Sequence, residues 1–160
     1  MAKLYCAWAM LCLLLACGHK PNFQAGDSLP SFSMLTLDSS LYNSDQIAKG
    51  KYTVILYFRT DCPHCQLETA EIVKNIKALS NINLLFLTWQ PLKDLRPYAA
   101  FFHLKGENIR VASDYKQQFL KRYKPENVPF SMVFNRDKEL RCVYSGPIPV
   151  DSLTVLNRSL

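Results

Sequence analysis

Residues 52–66 have the sequence YTVILYFRTDCPHCQ, in which an apolar segment leads directly into two cysteines separated by two residues. Residues 52–59 are rich in β-branched and aromatic side chains and carry no charge before Arg59, which predicts a strand buried on both faces. Apolar residues then recur at helical spacing and predict an amphipathic helix over residues 63–80. The cysteine pair therefore lies between a buried strand and a helix.

The order of residues at this junction predicts how the two cysteines differ. Proline is favoured at the first helical position, so Pro63 makes Cys62 the N-cap, whose side chain accepts the backbone N–H groups of His64 and Cys65. The helix dipole and a protonated or polarised His64 favour a thiolate at Cys62, while the charge of Asp61 opposes it. Cys62 is the predicted nucleophile and the more buried Cys65 the resolving cysteine, with Pro63 and His64 completing the catalytic motif.

Other uses of the C-x₂-C pair stay open from the residues alone, although each lacks support. A structural zinc site needs further ligands, and Cys142 and His103 lie far away in the sequence. A c-type haem motif needs histidine after the second cysteine, where this chain has Gln66. An inert buried pair is disfavoured by proline and histidine at a helix start. We therefore predict a redox-active Cys62–Cys65 disulfide, with no metal and no other cofactor.

The rest of the chain predicts alternating strands and helices. Strands are predicted over residues 32–37, 82–89, 109–112, 131–135 and 140–144, and helices over 92–104, 115–123 and 151–160, the last capped by Asp151. This order indicates an α/β fold with helices on both faces of the sheet. Lys121, Arg122 and Lys124 cluster at the end of one helix, and we interpret them as a solvated face.

Composition excludes several classes of protein. The chain has 160 residues, of which 49% are hydrophobic and 20% charged, as in an ordinary globular protein rather than a disordered or fibrous one. The net charge of +6 is scattered, so a nucleic-acid partner is not expected. Six cysteines are too few and too unevenly placed for a disulfide-rich miniprotein.

The N-terminus has the pattern of a targeting segment. Lys3 precedes an apolar run over residues 4–16, which is short for a membrane span but typical of a signal peptide. Residues 14–17, LLAC, resemble a bacterial lipobox, which implies cleavage before Cys17 and acylation of that cysteine. An ordinary cleavage site beside a chance cysteine is the alternative.

This pattern predicts three regions and a location. Residues 1–16 form a lipoprotein signal peptide, 17–25 a lipidated tether and 26–160 the folded domain. The membrane is thus a partner through the lipid at Cys17. The expected location is the bacterial cell envelope, facing the periplasm or extracytoplasmic space, where disulfides persist.

A proline near the end of the chain completes a recognisable pattern. Val128-Pro129 precedes a predicted β-hairpin, and the dipeptide alone predicts an ordinary trans bond. Together with the strand and the CPHC motif, however, it resembles the thioredoxin fold. That resemblance implies that Pro129 is a cis-proline lying against the cysteines and that Val128 pairs with an extended substrate. Phe130 either lines the substrate groove or only packs.

Further segments resemble TlpA/ResA-like redoxins, which are membrane-tethered, extracytoplasmic thiol-disulfide oxidoreductases. The similarity includes residues 26–32 and 50–51, and it extends over residues 26–160. It implies a thioredoxin-like fold with a central mixed sheet, an N-terminal extension, and a helix-strand insertion over about residues 92–112 before the cis-proline strand. The dipeptide between the two cysteines, and valine before Pro129, resemble a DsbA-like active site instead.

Three positions depart from the thioredoxin pattern. Asp61 stands where thioredoxins have tryptophan, which changes the apolar rim offered to partners. Leu56 stands where reductases usually bury an acid, so deprotonation of Cys65 lacks its usual helper unless another acid lies nearby. Cys142 is additional, and we expect it to be a small buried side chain on the last hairpin strand, with a regulatory or third redox role as the alternative.

The sequence thus predicts thiol-disulfide exchange with protein thiols and disulfides, and a membrane redox donor or acceptor. The direction stays open, because the DsbA-like dipeptide favours an oxidant and the TlpA/ResA-like layout a reductase. A peroxiredoxin is discounted, since Ile55 and Arg59 occupy the positions of its proline and threonine. The alternative is a thioredoxin-fold copper carrier using the same cysteines, although such carriers typically space them by three residues.

Overall fold

The computed structural model describes residues 23–158, in which seven strands form one mixed sheet. The strands are β1 Ser33–Thr36, β2 Leu41–Asn43, β3 Tyr52–Tyr57, β4 Ile82–Thr88, β5 Ile109–Ser113, β6 Phe130–Phe134 and β7 Leu140–Ser145. The α-helices are α1 Pro63–Lys74, α2 Leu92–Phe101, α3 Gln118–Tyr123 and α4 Val150–Arg158. The strand order is β2-β1-β5-β4-β3-β6-β7.

The three central strands explain why the sheet is buried on both faces. β3, β4 and β5 are parallel and are joined through α1 and α2, whereas the outer pairs are antiparallel. Alternate residues of β3 enter two separate cores, with Val54 and Leu56 on one face and Ile55 and Tyr57 on the other. Residues of α1, α2 and α4 pack in the first core and those of α3 in the second. The predicted α/β fold with helices on both faces is confirmed.

The element boundaries differ from prediction in three places. The first helix ends at Lys74. The side-chain amide of Asn75 donates to the Glu71 carbonyl at 2.8 Å, and a 3-10 turn, Ile76–Leu79, follows. The edge strand β2 was not predicted, since it has only three residues and none is buried. Asp151 lies within the first turn of α4 rather than before it, so its predicted capping position is wrong.

The domain includes residues assigned by sequence to the tether. Phe23 packs its ring on Tyr123 and Phe130, and the Gly26 N–H donates to the Leu140 carbonyl at 2.8 Å. The folded part thus begins no later than Phe23. The predicted signal peptide and the lipobox at Cys17 lie outside the described residues. Across residues 23–158, no helix has both the length and the apolar character that crossing a bilayer requires.

Candidate active site

The two cysteines lie where β3 ends and α1 begins. Cys62 is the N-cap of α1, Pro63 occupies the first turn, and the Cys65 backbone N–H donates to the Cys62 sulfur at 3.3 Å. This is the capping arrangement that the sequence predicts for Cys62. Cys62 is half-buried and Cys65 is fully buried. A partner can therefore reach the sulfur of Cys62 more readily than that of Cys65.

Burial also separates the chemistry of the two thiols. The pKa of Cys65 is raised, mainly by burial and also by its hydrogen bond to the Cys62 side chain. Cys65 therefore keeps its proton near neutral pH until a base removes it. This agrees with its predicted role as the second cysteine to react, because a protonated thiol is a poor nucleophile.

Asp61 is paired with Arg59. Its carboxylate accepts from the Arg59 Nε at 2.9 Å, and both side chains are exposed. The hydrogen bond to Arg59 lowers the pKa of Asp61. The Arg59 guanidinium in turn lies 5.9 Å from the centre of the Trp89 ring. From the sequence, we expect the negative charge of Asp61 to oppose a thiolate at Cys62. The positive charge of Arg59 compensates it.

The cis-proline implied by the resemblance is present. The Val128–Pro129 bond is cis, and the Cys62 Sγ lies 3.7 Å from the Val128 carbonyl oxygen as a hydrogen-bond donor. The Pro129 carbonyl accepts from Gly146 N at 2.8 Å, which fixes the loop to the end of β7. Phe130 is only 5% exposed and packs in the core on the opposite side of the sheet. The structure thus assigns its side chain to packing and not to a substrate groove.

Glu68 is a site residue that the sequence analysis missed. It lies one turn after Cys65 on α1, is 7% exposed, and accepts from Ile148 N at 2.7 Å. Burial raises the pKa of Glu68 to about 7, and its charge is close enough to raise the pKa of Cys65. A spacing of three residues places both side chains on one helix face, which was the available signal. Leu56 occupies the position where reductases usually bury an acid, and in this protein the buried acid near Cys65 is Glu68 on α1.

His64 lies in a groove beside the cysteines. The groove has a volume of about 410 Å³, and exposed Leu67 and buried Glu68 contribute to its wall. Residues 147–151, which comprise the connection after β7 and the first two residues of α4, also line it. His64 is exposed to solvent in this groove. Its ring is therefore placed to meet a bound partner, and its predicted catalytic role stays a prediction.

The inserted helix α2 supports the cysteine helix from behind. The Tyr98 hydroxyl is within hydrogen-bond distance of Thr69 Oγ1, at 2.7 Å, and donates to the Cys65 carbonyl at 3.3 Å. The Tyr98 ring lies 4.9 Å from that of Phe58, just after β3. This buried contact joins the insertion to the first turn of α1 and holds the backbone of Cys65.

Replacing Tyr98 by phenylalanine should lower the free energy of unfolding by about 1–2 kcal/mol, because it leaves the buried Thr69 hydroxyl without its partner. Urea unfolding of the variant measures this loss. Tyr115→Phe is the matched control, since Tyr115 is 39% exposed. Equal midpoints for the two variants would show that the Tyr98 hydroxyl does not stabilise the helix.

Two further predictions can be compared with the structure. Cys142 is exposed on β7, so the expectation of a buried side chain is wrong. Its position near the sheet edge brings it toward solvent, because outward residues of an edge strand are not covered by a helix.

Between residues 23 and 158, no three His, Cys, Asp or Glu side chains are grouped as a metal site would require. The copper-carrier alternative is therefore not favoured.

Solved structures share this fold at low sequence identity. A peroxiredoxin-like protein from Aquifex aeolicus has a TM-score of 0.70 at 16% identity, covering 85% of this chain and 87% of that one. A secreted Mycobacterium tuberculosis disulfide oxidoreductase homologous to Escherichia coli DsbE has a TM-score of 0.67 at 16% identity, covering 81% and 96%. StoA from Bacillus subtilis has a TM-score of 0.65 at 18% identity, covering 82% and 100%.

The family assignment comes from the sequence itself. No curated protein matches the chain significantly. The sequence profile of the Redoxin family, however, matches residues 24–157, which include both cysteines, Glu68 and the cis-proline. The match extends over nearly all the described residues and agrees with the predicted thiol chemistry. This chain therefore belongs to the Redoxin family of thioredoxin-fold oxidoreductases.

Proposed function

We propose that this protein is an extracytoplasmic thiol-disulfide oxidoreductase that exchanges disulfides with protein substrates through Cys62 and Cys65. The observation that carries the proposal is the half-buried Cys62 sulfur, which accepts the Cys65 N–H and lies 3.7 Å from the Val128 carbonyl oxygen. A strand of substrate beside Val128 would bring its own sulfur to Cys62. The N-terminal end of α1 stabilises negative charge there.

The exchange conserves electrons and thiols at each step. The Cys62 thiolate attacks one sulfur of a substrate disulfide, forms a mixed disulfide and releases the other substrate sulfur as a thiolate. The Cys65 sulfur then attacks Cys62, forms the Cys62–Cys65 disulfide and releases the second substrate thiolate. Two electrons have passed from the pair to the substrate. The same steps in reverse oxidise a substrate dithiol.

Glu68 is placed to accept the proton that Cys65 must lose. The carboxyl has a pKa of about 7, so near neutral pH a large fraction is ionised and can act as a base. Ile148 N holds one carboxylate oxygen in the protein interior. Loss of this proton makes Cys65 the nucleophile of the resolving step.

The envelope location rests on the N-terminal pattern. We propose that cleavage before Cys17 and acylation of that residue anchor the domain outside the cytoplasm. The secreted disulfide oxidoreductase from Mycobacterium tuberculosis, whose fold this chain shares, supports an extracytoplasmic setting. Membrane-bound electron donors or acceptors are the corresponding redox partners.

Equilibration of the full chain with glutathione buffers tests the proposal. A Cys142→Ser background restricts thiol labelling in the described domain to Cys62 and Cys65, and mass spectrometry of alkylated protein measures the oxidised fraction. We expect an exchangeable disulfide between these two residues. A potential near about −120 mV would identify a disulfide donor, and one below about −250 mV a reductant. A pair that forms no disulfide in any buffer would overturn the proposed function.

A further inference from the structure

The chain enters the domain at the end of the sheet that carries the cysteines. The ring centre of Phe23 lies 5.8 Å from that of Tyr123 and 6.3 Å from that of Phe130. Phe130 begins β6 and pairs with Tyr57, the last residue of β3, five positions before Cys62. Phe23, the first residue that the structure describes, therefore lies at the end of the sheet where disulfide exchange would take place.

The same end of the sheet has a basic surface. Residues 114–129 connect β5 to β6, and both joints lie at the carboxyl ends of the central parallel strands. Four exposed basic residues occur in this connector against one exposed carboxylate, that of Glu126. We call them the basic connector: Lys116, Lys121, Arg122 and Lys124. Tyr123, which Phe23 contacts, lies between Arg122 and Lys124 in the sequence.

The length of chain before Phe23 limits its distance from a membrane. Phe23 is six positions after Cys17, and an extended chain spans at most about 3.6 Å per residue. With the lipid at Cys17, as in the proposed function, Phe23 stays within about 20 Å of the bilayer surface. The headgroups are thus within reach of the cysteine end of the sheet, where the basic connector lies.

We propose that the basic connector docks on anionic lipid headgroups and keeps the CPHC end of the domain against the membrane surface. Lys and Arg side chains near an anionic surface are attracted to it, and the attraction is strongest within a few ångströms. Cys62 lies at the start of α1, which packs on the opposite side of the sheet from α3. The substrates within reach are those that carry their cysteines close to the bilayer.

Trp89 offers a direct measure of this orientation. It follows β4 at the cysteine end of the sheet and stacks on Tyr57 at 5.6 Å between ring centres. The chain has two tryptophans, and Trp8 lies in the segment predicted to be cleaved. Energy transfer from Trp89 to a dansyl-labelled lipid headgroup therefore reports how near this end lies to the membrane. The acylated protein is reconstituted into phosphatidylcholine vesicles with or without phosphatidylglycerol.

The decisive variant is Lys121→Glu/Arg122→Glu/Lys124→Glu. The matched control is Lys49→Glu/Lys51→Glu/Lys77→Glu, which reverses three exposed charges near the opposite end of the sheet. Each basic residue contributes about fivefold to the ratio of docked to undocked domain, so the first variant should lower that ratio at least about 100-fold. Energy transfer on anionic vesicles should then equal that on phosphatidylcholine alone, and high salt should have the same effect on the unmodified protein.

Two negative results have separate meanings. If Cys17 is acylated by mass spectrometry but energy transfer does not depend on phosphatidylglycerol or on the connector charges, the docking proposal is overturned and the anchor stands. If Cys17 carries no lipid, the anchor and the docking proposal both fail. Disulfide exchange by Cys62 and Cys65, measured on the same samples, tests the proposed chemistry independently of either result.

Discussion

Replacing Cys65 by serine is expected to arrest the protein as a stable mixed disulfide with its substrate, whereas replacing Cys62 by serine abolishes capture. Cys62 is half-buried and caps α1, while Cys65 has no exposed surface. Without the Cys65 sulfur, nothing internal can attack Cys62 once it is bonded to a partner. The remaining release depends on external thiols, and we expect turnover to fall by at least about 1000-fold in each variant.

Non-reducing mass spectrometry of each variant with a disulfide-bonded substrate measures the captured fraction. Cys142→Ser is the control, because Cys142 lies on β7, outside the Cys62–Cys65 pair, and its loss should affect neither capture nor turnover. Capture through Cys65 in the Cys62→Ser variant would reverse the assigned roles. Capture through Cys142 would place the reactive thiol outside the predicted motif.

Replacing Glu68 by glutamine is expected to slow the resolving step by about 100-fold near neutral pH, a typical contribution of a positioned general base. Glutamine keeps an oxygen for the Ile148 N–H but cannot take the proton of Cys65. In the unmodified protein, the resolving rate should rise with pH through about 7 as Glu68 ionises. In the variant, that rise should be absent.

The same substitution should change how stability depends on pH. Burial raises the pKa of Glu68 from 4.5 to about 7, so between these values the folded state holds a proton that the unfolded state has lost. The free energy of unfolding therefore decreases as pH rises through this window, by about 3 kcal/mol from this group. The Glu68→Gln variant should lack this decrease, and the difference between the two proteins isolates Glu68 from buried Asp114, whose pKa is also raised.

Glu71→Gln is the matched control for both measurements. Glu71 lies on the same helix, with an exposed carboxylate 3.7 Å from the Lys74 ammonium group. Its loss should leave the resolving rate and the pH dependence of stability nearly unchanged, since exposed ion pairs contribute little. If Glu68→Gln changes stability but not the resolving rate or its pH profile, Glu68 is a structural residue only.

Much of the site follows from short-range information. The capping of α1 by Cys62 depends on Pro63 and on backbone groups within three residues, so the sequence predicts it without knowledge of the fold. The end of α1 was predicted six residues too late, because Ile76 and Leu79 continue an apolar pattern that a 3-10 turn also satisfies. The edge strand β2 has only three residues and none is buried, so it shows no alternation of apolar and polar side chains from which a strand could be predicted.

The sequence by itself predicted the order of strands and helices apart from β2, the place of the cysteine pair between a strand and a helix, and the capping of that helix by Cys62. Each depends on periodicity or capping, and these act between residues close in the chain. Tertiary structure alone decided that Glu68 is buried against Ile148 and that Phe23 packs beside Phe130. These outcomes depend on burial and on contacts between distant segments, because the solvation of a carboxyl group is set by whichever elements pack around it.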